Sequence, residues 1–340
     1  DILAGFEELL DFLEKSGVPY RRRVKGNSEV PTALGTTKLT YCVPETMWHG
    51  VQALAGKKPC LLVGIQGLKG FSAFQVAATL NARWPELRSV QISFPGLSHS
   101  GEVYAERLAR ALELGANRKR LAGAVRPCLD GVKFVGFPPI LGITDSLEIF
   151  TDLQDRIGVP IFEVPGTAPS VPGLRLKEAF ERFLPPRAVR LFSQHRVMNL
   201  SPDSGGNFIL EMGRFSAERT VRSKAVILAT GGFIGGGLRA DREQIRETLL
   251  GLPVYQPEDR SHWHRNDFFD PRGHPINQSG LEIDDFFRPL DKNGRPAFQT
   301  LFAVGSILAH QDWMRMKCGA GLAIASAYAA VSSLVKLIPS

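Results

Sequence analysis

Only four cysteines, Cys42, Cys60, Cys128 and Cys318, occur in 340 residues, and no two of them form a C-x-x-C pair. Such spacing encodes neither an iron–sulfur cluster nor a local zinc site, and no metal is expected from it. Scattered thiols suit a reducing compartment. A charged n-region followed by an apolar h-region is missing at the start, so no secretory signal is expected. No internal repeat or low-complexity tract is present, which excludes solenoids and arrays. Long apolar runs are nearly absent. The single one, Gly319 to Ile338, is broken by Ser326, Tyr328, Ser332, Ser333 and Lys336 and follows a Cys-Gly-Ala-Gly turn, so a buried helix is expected rather than a membrane span. The excess of 41 Lys+Arg over 34 Asp+Glu, a net charge of +7, is modest for this length and reads as a solvated basic surface, with no nucleic-acid partner implied.

What is there is core material. Hydrophobic residues make up 44% and charged ones 22% of the chain, which excludes a disordered or fibrous protein. The 34 Gly and 23 Pro fit a fold with many tight strand-to-helix turns, and the length suggests about two domains of ~150 residues. The chain opens on Asp1 rather than Met and is expected to be a fragment or mature portion of something longer. Its first segment, Ile2 to Lys15, carries Ile2, Leu3, Phe6, Leu9, Leu10 and Leu13 at helical spacing.

From Lys57 onward strands and helices alternate. Strands are expected at Pro59–Ile65, Ser89–Phe94, Val132–Gly136 and Val159–Val164, with helices at Phe71–Arg83, Glu102–Leu114 and Ser146–Gly158. That alternation implies a parallel sheet covered on both faces. After Pro185-Pro186 the grain changes. Val189–Leu200, Phe208–Arg214 and Glu218–Ser223 read as antiparallel strands joined by an Asp203-Ser-Gly-Gly turn, and they lead into the buried strand Lys224–Gly232. Residues 252–294 form a long, aromatic, weakly periodic stretch, after which strand, loop and helix return.

The sharpest local signal is Ala225-Val-Ile-Leu-Ala-Thr-Gly-Gly232: an apolar strand ending in glycines lets backbone pass close to a flat ligand or a phosphate. Gly235-Gly-Gly237-Leu-Arg-Ala240 formally fits G-x-G-x-x-A, but the acidic residue expected downstream has only Glu258 or Asp259 as candidates, inside a loop. A second signal is Leu301-Phe-Ala-Val-Gly-Ser306 with Cys318-Gly-Ala-Gly321 opening the last helix, which places free N–H groups and a positive dipole end together. Gly64-Ile-Gln-Gly67-Leu-Lys-Gly70 has G-x-x-G-x-x-G spacing and reads mainly as a first βα turn.

These segments in this order resemble the B subunit of the bacterial anaerobic glycerol-3-phosphate dehydrogenase. The matching stretches are Leu34-Gly35-Thr36, Leu62-Val-Gly-Ile65, Pro165 with Ala168-Pro-Ser-Val171, Gly173-Leu-Arg-Leu176 and Ala225 through Leu238. They continue through Ile245-Arg-Glu247, Leu250-Gly-Leu252, Asp267-Phe-Phe269, Arg288-Pro289, Leu301–Ser306 and Cys318–Gly321. The resemblance implies an α/β fold with a discontinuous Rossmann-like flavin-binding lobe and an inserted α/β domain. The lobe would comprise residues 1–46, 184–250 and 296–340, the insertion 47–183, and residues 251–295 a long loop or lid. It also implies a flavoprotein subunit of a quinone-linked respiratory enzyme that oxidises sn-glycerol 3-phosphate to dihydroxyacetone phosphate. FMN would be the cofactor, with FAD an alternative. The partners would be a flavin-containing A subunit and an iron–sulfur, membrane-attaching C subunit, which would hold the chain at the cytoplasmic face of the inner membrane. Members of the family begin with a strand and glycine-rich turn that supply the main flavin cradle, and this sequence starts after that point.

The residues expected at the flavin are Thr230, Gly231 and Gly232 at one strand end and Gly305, Ser306, Cys318, Gly319, Ala320 and Gly321 at the other. A dianionic substrate head calls for guanidinium forks. Arg246, Arg288 and Arg175 lie in matching stretches, and Arg239 and Arg242 are nearby. A base for the hydroxyl proton is best supplied by His near neutral pH, and His310, between the two flavin segments, is the first choice; His262-Trp-His264 reads as part of an interface or lid. Three readings stay open: an electron-relay or accessory flavoprotein subunit, a stand-alone fumarate-reductase-like flavin oxidoreductase acting on a small anion, and a flavin-free structural subunit.

Overall fold

The computed structural model describes residues 2–96 and 102–337. The chain divides into two compact units, Leu10–Leu191 and Asp1–Leu9 with Phe192–Ser340.

The first unit is built on four parallel strands, in the order Leu87–Ile92, Cys60–Ile65, Phe134–Phe137, Ile161–Glu163. Cys60–Ile65 is buried at every position because it lies inside the sheet, which explains why it reads as an unbroken apolar run. Leu62, Val63, Val135, Phe137, Ile161 and Phe162 form a single core with Leu108, Leu112, Leu121 and Leu153 from the helices. The helix at Ala105–Leu112 is followed by a separate one, Gly115–Val125, that lies beyond the helix expected from the periodicity.

Residues 10–46, expected in the flavin lobe, belong to this unit instead. Two antiparallel pairs, Tyr20–Arg22 with Cys42–Pro44 and Ser28–Pro31 with Thr37–Thr40, lie here. Val30 and Val43 pack with Met47 and Val51 of the helix Glu45–Ala55. Ala33 N–H donates to the Pro165 carbonyl at 3.2 Å. Apolar side chains on these hairpins thus find their partners in the α/β unit, which decides where the segment belongs.

The second unit holds a three-stranded antiparallel sheet of Arg196–Pro202, Phe208–Gly213 and Arg219–Ser223. Its first turn is fixed by Asp203, whose carboxylate accepts from the N–H groups of Gly205 and Asn207 at 2.8 and 2.9 Å. Val226–Leu228 pairs in parallel with Leu301–Ala303, and Leu238–Ala240 pairs antiparallel with Ile245–Glu247. The stretch 251–295 anchors to the core at a few positions. Leu252, Trp263 and Leu281 are buried with Leu228, Leu238 and Leu301. Gly280 shows how closely the stretch is packed, since a Cβ there would come within 2.4 to 2.6 Å of the backbone of Ile307, Leu308 and Ala309.

The last helix, Gly319–Leu337, differs from its expectation. Only Ser326 and Ala330 are buried along it. It is long and apolar enough to cross a membrane by length and composition. An apolar helix buries what its neighbours cover, and this one is mostly half-buried, with Ala320, Ala323, Val331, Val335, Lys336 and Leu337 exposed. Ile338 lies outside the described residues.

Candidate functional site

Strand geometry brings the two glycine segments together. Because Val226–Leu228 and Leu301–Ala303 are parallel and adjacent, their C-terminal ends emerge side by side, Thr230–Gly232 from one and Gly305–Ser306 from the other. Val304 N–H donates to the Leu228 carbonyl at 3.0 Å, and Gly232 N–H reaches Ser306 Oγ at 3.3 Å. Behind them, Gly305 N–H donates to Ser326 Oγ of the last helix at 2.9 Å.

After Gly232 the chain folds back over Thr230. A Cβ at Gly237 would lie 2.1 Å from the Gly231 carbonyl oxygen and 2.5 Å from Thr230 Oγ1, so no side chain is tolerated there. The G-x-G-x-x-A pattern that begins at Gly235 opens the hairpin strand Leu238–Ala240 and not a helix, so it lacks the context of a dinucleotide fingerprint.

Beside these glycines is a cleft of about 150 Å³, lined by Gly232, Phe233, Ile234, Gly235, Leu238 and Ser306, and by Asn277, Ser279, Asp312, Trp313 and Met314. The lining residue Ser279 has a buried hydroxyl with no hydrogen-bond partner, and so has Thr230, which lies beneath Gly237 and outside the lining. Buried polar atoms are ordinarily paired. Backbone stripped of side chains and a hydroxyl awaiting a partner fit a flat, hydrogen-bonding group such as a flavin.

The helix-start segment stands apart from this cleft. Cys318 N–H donates to the Trp313 carbonyl at 3.3 Å, and Gly319 faces the Trp313 ring. Cys318, Gly319, Ala320 and Gly321 are not among the lining residues.

The arginines are not assembled into a phosphate site. Arg175 is 2% exposed and lies in the other unit. Its fork meets Glu163 at 2.6 and 2.8 Å, and its remaining donors go to the carbonyls of Gly142 and Leu141 at 2.9 and 3.0 Å. With its donors spent in the core it has nothing to offer a substrate. Arg288 is held by Asp284 at 2.7 Å and by Gln299. Burial alone would raise the Asp284 carboxyl, but the Arg288 guanidinium and the N–H groups of Arg288 and Phe286 outweigh it and hold the acid below its ordinary value. Arg246 is exposed and pairs with Asp241 at 3.2 Å. None of the three lines the cleft.

His310 is turned away as well. Its Nε2 lies 3.0 Å from Glu282, and its ring packs on Tyr255 with centroids 4.1 Å apart. His264 packs edge-on against His274. The turn at Gly67–Gly70 carries Lys69, which is paired with Glu102 at 2.6 Å.

Sequence reasoning missed three residues that line the cleft: Ser279, Asn277 and Asp312. Asp312 is 5% exposed and caps the short helix Trp313–Met316, accepting from Arg315 N–H at 3.2 Å. An Asp just before a helical turn is a legible cap signal, though nothing local tells that it faces a cavity.

Comparison with known proteins identifies the family. The chain matches the FAD binding domain family over residues 2–322 and belongs to it. It is 31% identical over 323 residues to the probable anaerobic glycerol-3-phosphate dehydrogenase B subunit of Halobacterium salinarum, covering 92% of this chain and 75% of that one. The anaerobic glycerol-3-phosphate dehydrogenase B subunits of Vibrio vulnificus and Pectobacterium atrosepticum are 28% and 29% identical, over 97% and 95% of this chain and 76% and 77% of theirs. Within the FAD-binding class, the chain is therefore a member of this B-subunit family and a flavin-dependent oxidoreductase subunit. No solved structure matches it.

Proposed function

We propose that the chain serves a quinone-linked anaerobic sn-glycerol-3-phosphate dehydrogenase as its flavin-bearing accessory or electron-relay subunit, beside a second flavin-containing subunit and an iron–sulfur subunit that attaches the assembly to the cytoplasmic face of the membrane. The substrate class comes from the names of its relatives. The accessory role rests on one observation: the cleft beside the glycine strand ends is lined by no cationic side chain, and the arginines suited to a phosphate are paired elsewhere. A dianionic substrate is held by guanidinium or ammonium groups, so the phosphate would be bound by another subunit.

The flavin is read as FAD, following the family description. Thr230, Gly232 and Ser306 would hold it, with the glycines allowing close backbone approach. When bound, such a group accepts an electron pair and passes electrons on singly. The chain's own share is to position it and to screen it with Trp313 and Leu238.

The test is the visible absorption spectrum of the purified chain, followed by acid release and chromatography of the chromophore. A flavin band with FAD released, negligible turnover of glycerol 3-phosphate by the isolated chain, and turnover restored by the partner subunits are expected. FMN on release would revert the cofactor to the one the resemblance implied. Full turnover by the isolated chain would favour a stand-alone oxidoreductase. A colourless protein that takes up no added flavin would overturn the reading and leave a structural subunit.

A further inference from the structure

Two residues that line the cleft are unusual for a buried surface. Ser279 is 5% exposed, yet its hydroxyl has no partner. Asp312 is equally buried, and its carboxylate is thinly served: Arg315 N–H at 3.2 Å, Asn277 Nδ2 at 3.4 Å and Arg315 Nε at 4.0 Å. A buried carboxylate accepts about four hydrogen bonds, and leaving that capacity unfilled away from water is costly. Both groups line the same cleft, whose remaining walls are the aromatic and apolar Phe233, Ile234, Leu238, Trp313 and Met314.

Charge narrows what can enter. Asp312 is the only ionisable residue among those lining the cleft. A phosphate brought against it would meet a like charge in a poorly solvated place, which is repulsive. An uncharged ring carrying O–H or ring N–H donors meets the opposite situation: acceptors for its donors, a hydroxyl for its acceptors and flat apolar walls for its faces. We propose that Ser279, Asn277 and Asp312 form a recognition wall for the uncharged part of the flavin, its ring system and polyol chain, and that they exclude its phosphate. This inference rests on the flavin-binding reading above and deepens it by assigning lining residues beyond the glycine strand ends.

The probe is riboflavin, the flavin without phosphate, titrated into flavin-free full-length chain while its fluorescence is followed. Asp312→Asn keeps a good helix cap while removing the charged acceptor, and Ser279→Ala removes only the hydroxyl. Each is expected to raise the riboflavin Kd about tenfold, the worth of one good hydrogen bond. A millimolar excess of inorganic phosphate is expected not to compete. Without flavin, Ser279→Ala is expected to melt at or above the wild-type temperature, because it removes a buried hydroxyl that has no partner. A structural serine would show the reverse. Unchanged Kd in both variants, competition by phosphate, or a lowered melting temperature of flavin-free Ser279→Ala would overturn the wall while leaving flavin binding intact. Wild-type chain that binds no flavin would overturn both.

Discussion

The two units handle buried polarity in opposite ways. In the α/β unit, Arg175 and Glu163 are almost wholly enclosed and fully served: the fork meets the carboxylate, Thr46 donates to Glu163 at 2.7 Å, and Leu141 N–H donates to it at 2.8 Å. Among the described residues of that unit, the Ser28 hydroxyl is the one buried side-chain polar atom left unpaired. In the glycine-rich unit, Thr230, Trp263 and Ser279 all keep buried donors without partners, and Ser279 opens onto the cleft. One unit pairs nearly all of its buried polar side chains within itself, whereas the other leaves three unpaired, one of them on a residue that lines the cleft. Buried polar groups therefore separate scaffold from site more clearly than strand or helix content does.

The comparison is broken most severely in the α/β unit. Arg175→Met would leave Glu163 buried without a counter-charge, and a loss of about 3–5 kcal/mol is expected in urea unfolding. Pairing it with Glu163→Leu should restore much of that, since removing both charges abolishes the uncompensated one. Failure of the double variant to recover would mean that the pair also positions Gly142 and Thr46.

A smaller effect tests the glycine turn. Gly237→Ala forces a methyl against the Gly231 carbonyl and should cost about 1–3 kcal/mol by overpacking, with flavin retention falling in parallel. Gly123→Ala is the contrast. Its Cβ would meet nothing within 4 Å on the helix Gly115–Val125, so a gain of about 0.5–1 kcal/mol is expected. Thermal unfolding with and without added FAD reads both.

The smallest effect is confined to alkaline solution. Burial, aided by the nearby Cys42 thiolate, pushes the Tyr20 phenol up from 10.0 to about 12 in the folded chain. The unfolded chain therefore ionises first. Stability contributed by the neutral phenol is full below pH 10 and is lost as pH rises towards 12. Denaturation midpoints measured across that window should fall with pH in the wild type and fall less in Tyr20→Phe.

Much of this was legible in the sequence, for reasons that differ by region. The strand Cys60–Ile65 announces itself because both faces are covered, and the Thr230–Gly232 and Gly305–Ser306 ends do so because close backbone approach demands glycine. Other features depend on tertiary context. The helix Gly115–Val125 opens on glycine and carries little amphipathic pattern. An arginine's type says that it will seek an anion, but whether that anion is a substrate or Glu163 is decided by folding. His310 follows the same rule, with Glu282 and Tyr255 claiming its ring. Ser279 and Asp312 are single polar residues in loops, and only packing turns them into a wall.

The helix Gly319–Leu337, buried at only two of its nineteen positions, makes the folded state of its unit open to mass action. Anything that binds that apolar surface more tightly than it binds the unfolded chain adds a stabilisation that grows with the logarithm of its concentration. The melting temperature of this unit is then a property of the solution as much as of the sequence. Detergent, a second protein or the chain's own concentration enters the equilibrium as a reactant, whereas the α/β unit, with most of its apolar residues already enclosed, responds far less to what is dissolved around it.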